Sequence, residues 1–93
     1  MDIYAQIAEK IIKEQETIIG PVALEQARKV PGLTIDGDVN AINFNGDKKE
    51  IIENLVKKYE ELFGRTSIEV CKEAIRSIIT PASRDQLPQL LLN

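Results

Sequence analysis

The side chains that could do chemistry in this sequence are few and thinly spread. There is one cysteine, Cys71, and no histidine in 93 residues. Without imidazole there is no Ser–His or Cys–His pair, no His-ligated zinc or iron, and no base that titrates near neutrality. A lone thiol does not build a thiolate zinc site or an iron–sulfur cluster within one chain. Neither GxxxxGK[ST] nor GxGxxG occurs, because the five glycines are widely spaced. What is left is carboxylate or lysine chemistry, which needs nucleophile, base and oxyanion donors gathered in one pocket. The expectation is a protein that is not an enzyme and carries no cofactor.

One run of oxygen donors has a spacing worth testing against a metal. Asp36, Asp38 and Asn40, with Asp47 at the twelfth position, follow the pattern of a calcium loop, D-x-[DN]-x-[DN]-G-x5-E. Ala41 stands where that loop turns on a glycine, and Asp47 is shorter than the bidentate Glu it replaces. Asp, Gly and Asn are also ordinary turn formers, and an Asp ahead of a helix is well used as its cap. The turn reading is therefore preferred, with Asp36, Asp38, Asn40 and Asp47 kept as the alternative metal set.

Near the end, Leu87-Pro88-Gln89-Leu90-Leu91 spells LxxLL, followed by Leu92. Such leucines can dock one face into a partner groove, which makes Leu87, Leu90, Leu91 and Leu92 the candidate partner-binding residues. Two plainer readings compete: a strap folded back over the core, and a segment whose continuation covers it. Cys71 lies on an apolar stripe, one turn from Ile68 and Ile75, where a thiol packs as a small hydrophobe. Tyr4, Tyr59 and Phe63 are too few for an aromatic cage and read as core or core rim.

The charge balance narrows the partners. Twelve Lys and Arg face fifteen Asp and Glu, a net charge of -3. Such a chain has no long-range attraction to phosphate. Its cations are also interleaved with acids: Lys48 and Lys49 precede Glu50, and Lys57 and Lys58 stand between Glu53 and Glu60. No nucleic acid is expected. No segment reaches the roughly 20 apolar residues of a membrane helix, the first 20 residues do not read as a signal peptide, and one unpaired Cys suits a reducing compartment. The cytoplasm is the expected location and no membrane contact is expected.

These residues must be positioned by elements that the hydrophobic period reveals. From Asp2 to about Ile18, the pairs Ile3/Tyr4, Ile7/Ala8 and Ile11/Ile12 recur at helical spacing, with Asp2 as N-cap. Gly20-Pro21 breaks that helix and opens a short second one to about Lys29, with Val22, Ala23, Leu24 and Ala27 inward. Residues 33–45 switch to period two, and a four-residue loop, Gly37 to Asn40, puts Leu33 opposite Phe44 and Ile35 opposite Ile42. Asp47 and Glu50 form a capping box for a third helix to about Phe63, with Ile51, Ile52, Leu55, Val56, Tyr59, Leu62 and Phe63 inward. Thr66 and Glu69 form another for a fourth helix to about Ile79, stopped by Thr80-Pro81. Ser83 and Gln86 mark a start signal in the tail.

The fold class expected is α+β and mostly helical: four helices, a β-hairpin between the second and third, and an apolar tail. A compact domain over 1–82 with its hairpin at 33–45 is followed by the tail at 83–93. The order does not fit a winged helix. More apolar positions point inward than so short a chain can bury, so a leftover helical face is expected to meet a protein partner or a second copy, as a homodimer. The leading function is a non-catalytic interaction or regulatory module that self-associates through aliphatic helix faces. The alternative is a small-ligand or metal-ion sensor built from residues 36–50, with the amides of Lys48 to Glu50 receiving an anion.

Overall fold

Asp47 shows how local chemistry sets an element boundary here. Its φ of -70° and ψ of 111° are extended, and its carboxylate accepts from the amides of Lys49 (3.0 Å) and Glu50 (3.2 Å). Two donors that a helix start leaves unpaired are thereby satisfied. In the computed structural model, which describes residues 3–36, 41–78, 87–88 and 91, this cap opens a helix over Lys48–Phe63. In full order the elements are α1 (Ile3–Ile19), α2 (Val22–Ala27), β1 (Leu33–Ile35), β2 (Ile42–Phe44), α3 (Lys48–Phe63) and α4 (Thr66–Ile75). The chain is α+β and mostly helical, with an antiparallel hairpin between α2 and α3.

The hairpin has the expected register: Leu33 pairs with Phe44 and Ile35 with Ile42. Leu33 and Ile35 are buried, while Thr34 and Asn43 between them are exposed, so the period-two pattern separates the two faces. Two three-residue strands would not hold alone in water. They pack on α1 and on Ile51 at the start of α3, and Asn45 donates its amide to the Gly32 carbonyl at 2.7 Å. The loop residues Gly37 to Asn40 lie outside the described residues, as do Asp2, Ile79, Thr80-Pro81, Ser83 and Gln86.

The core is aliphatic. Ile7, Ala8, Ile11 and Ile12 of α1 are fully buried, and they meet Ile52, Leu55, Val56 and Tyr59 of α3 and Cys71 and Ile75 of α4. α1 packs on α2, α3 and α4, and α3 packs on α2 and α4. Leu87 and Leu91 complete the same core cluster.

Four expectations need correction. α2 ends at Ala27 rather than Lys29, and Lys29 and Val30 close it with bonds to Gln26 and Ala27, three residues back. α4 begins one residue early: Arg65 is its cap, helical and without a side-chain bond, so Thr66 sits inside the helix instead of capping it. At its other end α4 stops at Ile75, and Arg76 and Ile78 again bond three residues back, to Glu73 and Ile75. Finally Val22, Leu62 and Phe63, expected inward, are 38%, 46% and 40% exposed.

Candidate interaction surface

Four helix ends meet at one end of the molecule, and two side-chain bridges fix them there. Gln15, in the last turn but one of α1, is buried and donates from Nε2 to the Ser67 carbonyl (3.2 Å) and to Cys71 Sγ (3.5 Å) in α4. Tyr59, one turn from the end of α3, donates its hydroxyl to the Ala23 carbonyl at the start of α2, at 2.6 Å. A buried amide or phenol without a partner would cost about 1–3 kcal/mol, so each bridge favours one register of its helix pair. The C-termini of α1 and α3 and the N-termini of α2 and α4 therefore share an end.

At that end the core stripes run past the core. Ile18 is seven residues, two turns, beyond Ile11, which is fully buried, yet Ile18 is 60% exposed. Leu62 stands in the same relation to Leu55 and Phe63 to Val56, and Phe63 lies one turn beyond Tyr59, all three of these earlier residues fully buried. Gly20 and Gly64, at positive φ, end α1 and turn the chain out of α3 just after these residues. The inward face thus continues into solvent on both helices, and Val22, the first residue of α2 at the same end, is also exposed. Single exposed apolar residues are ordinary on a protein surface, but four gathered at one end form a patch.

The border of the patch is acidic. Between Glu14 and Glu25 the chain carries Glu14, Glu16 and Glu25 and no Lys or Arg. From Lys58 to Thr66 it carries Glu60 and Glu61 with two cations, Lys58 and Arg65, which leaves five carboxylates against two cations in all. Neither α1 nor α3 has a basic residue in its last turn. Ion pairs among the described residues include Glu9–Lys13, Glu69–Lys72 and Glu73–Arg76.

Gln15 also holds the one thiol, which is buried in the core. Burial pushes Cys71 up to about 11, partly offset by the Gln15 hydrogen bond. Burial likewise raises Tyr59 above its ordinary value, with the neighbouring Cys71 and Glu16 adding to the effect. Such a thiol stays protonated and is a poor nucleophile. It also makes the fold alkali-sensitive. Above the ordinary thiol value of 9.0 the unfolded chain loses a proton that the folded chain keeps, so stability falls as pH rises from there toward about 11. The slope approaches about 1.4 kcal/mol per pH unit for one group. Urea melts from pH 8 to 10.5 are expected to show this decline, and Cys71→Ala to flatten it between pH 9 and 10, before tyrosine ionises in the unfolded chain. An unchanged slope in that variant would remove Cys71 as its origin.

The residues singled out from sequence lie elsewhere. Asp36 is exposed at the end of β1, Asp47 is committed to capping α3, and Asp38 and Asn40 lie outside the described residues. Among the described residues no three His, Cys, Asp or Glu side chains are grouped so as to hold a metal ion. The α3 amides that an anion would use are those Asp47 engages. An open cleft of about 420 Å³ adjoins them, lined by Asp47, Lys49, Glu50, Glu53 and Pro88. Leu87 and Leu91 are buried, while Leu90 and Leu92 lie outside the described residues. No protein-family model, curated protein or solved structure is significantly similar to this chain.

Proposed function

We propose that this chain is a non-catalytic protein-interaction module that docks a partner on the apolar end formed by Ile18, Val22, Leu62 and Phe63. One observation carries the reading: two helices extend their buried stripes beyond the core, at the same end, and leave Ile18, Leu62 and Phe63 exposed among the described residues. Burying apolar surface contributes about 25 cal/mol per Å² removed from water, so such an end favours association. The absence of histidine and the protonated, buried Cys71 are consistent with a role by contact rather than by reaction. The homodimer expected from the surplus of apolar faces would use this same surface. Among the described residues no helix is long and apolar enough to cross a membrane. The single free thiol favours the cytoplasm.

The ligand-sensor alternative has less support, because the helix end it needs is already occupied by Asp47.

A surface kept for a partner should be dispensable to the fold. Leu62→Gln and Phe63→Gln are expected to cost less than about 1 kcal/mol each, against about 2–5 for truncating a buried Ile or Leu. A photo-crosslinker in place of Phe63 should capture a discrete partner that a crosslinker in place of exposed Lys10, outside the patch, does not. That partner, once purified, should lose binding to the Leu62→Gln/Phe63→Gln variant. The same adducts from both positions would defeat the proposal.

A further inference from the structure

We infer that the occupant of this end is a basic amphipathic segment of another protein rather than a second copy of the chain, an inference that rests on the docking surface proposed above. The argument is charge complementarity around an apolar centre. Ile18, Val22, Leu62 and Phe63 supply the centre, and within about a turn of them in sequence Glu14, Glu16, Glu25, Glu60 and Glu61 outnumber the cations Lys58 and Arg65. Glu14, Glu25 and Glu61 are exposed and Glu16 and Glu60 half-buried, so their charges act on whatever approaches. A two-fold copy would set this carboxylate-rich border against itself. Like charges brought together on burial oppose association, and desolvation at the border sharpens the penalty. A segment with leucine-like side chains on one face and lysine or arginine along the edges brings opposite charge to the five carboxylates, which outnumber the two cations. Long basic side chains also lay their methylene stems on apolar surface while the charged heads reach the rim.

Pro88 lines the cleft beside Asp47, Lys49 and Glu50, at the opposite end of α3 from Phe63. Sixteen residues of helix separate the two ends by about 24 Å. Pro88 therefore lies toward the end of α3 away from Leu62 and Phe63, and no described tail residue lines the apolar end.

The test titrates the whole chain with two synthetic helical peptides of about 14 residues, the length of four turns. Both carry one leucine face, with lysine flanks in one and glutamate flanks in the other. Calorimetry is expected to show the lysine peptide binding at least tenfold more tightly than its glutamate counterpart. Raising salt from roughly 50 to 300 mM should weaken it threefold or more, because exposed charges are screened. Leu62→Gln/Phe63→Gln should abolish binding, and Glu16→Gln/Glu60→Gln/Glu61→Gln should weaken it severalfold. Equal binding of both peptides, lost in the Leu62→Gln/Phe63→Gln variant, overturns the charge inference and leaves the docking surface standing. Binding of neither peptide overturns the inference, and lysine-peptide binding indifferent to the Leu62→Gln/Phe63→Gln change overturns both claims. Sedimentation of the free chain closes the remaining route: a dimer that this variant dissociates makes the second copy the occupant.

Discussion

Gly32→Ala is expected to destabilise the fold by roughly 2–5 kcal/mol, the combined scale of left-handed strain and an overpacked contact. Gly32 follows the turn that ends α2 and leads into β1, with φ at +84°, a conformation L side chains rarely adopt. A Cβ there would lie 2.8 Å from the Asn45 carbonyl oxygen and 2.9 Å from Ile51 Cδ1. The Ile51 methyl is the end of a side chain, but the Asn45 carbonyl is backbone, held in place by the Asn45 amide bonded to Gly32 itself. Relief would require opening the ladder between the hairpin and its entry. Gly20 supplies the control, having a similar φ of +75° and nothing within 4 Å of the added atom. Gly20→Ala should therefore cost only the backbone term, about 1 kcal/mol. Urea melts of the two variants separate strain from collision. Equal losses at both positions would mean that the close approach at Gly32 is not maintained.

The contrast between these glycines also shows what was legible before the structure. The punctuation at Gly20-Pro21 and Gly64, the hairpin register and the Asp47 cap all follow from local rules, because each depends on neighbours within a few residues. The inward stripes of α1 and α3 were legible for the same reason. Where those stripes stop being covered was not. Periodicity assigns Leu62 and Phe63 to the same face as Leu55 and Val56, but only the lengths and offsets of α1, α2 and α4 decide that the cover ends before them. Gln15 was invisible for a related reason. It sits on the apolar stripe as a polar residue, and its justification lies 52 residues away at the Ser67 carbonyl. One sequence signal did point to the patch: residues 14–25 hold three carboxylates and no cation around an isoleucine pair.

Leu87→Ala/Leu91→Ala is expected to remove a large share of the stability, about 4 kcal/mol or more by the usual cost of emptying two buried leucine sites. Leu87 is 1% exposed and Leu91 6%, and both belong to the one core cluster with Ile52, Leu55 and Val56. Between them Leu91 donates its amide to the Pro88 carbonyl at 3.0 Å, a turn that brings both side chains to the same side. A domain of this length has only roughly 5–14 kcal/mol to lose, so the midpoint of thermal unfolding should fall by 15 °C or more at about 4–8 °C per kcal/mol. A docking peptide behaves in the opposite way, since its leucines are free before the partner arrives and their loss leaves the melt unchanged. The pair of experiments is therefore reciprocal: Leu87→Ala/Leu91→Ala should disturb the fold, while Leu62→Gln/Phe63→Gln should spare the fold and abolish docking. An unshifted melt for the tail variant would return the leucines to the list of partner contacts. It would also mean that the α3 face beneath them is closed by something other than this tail.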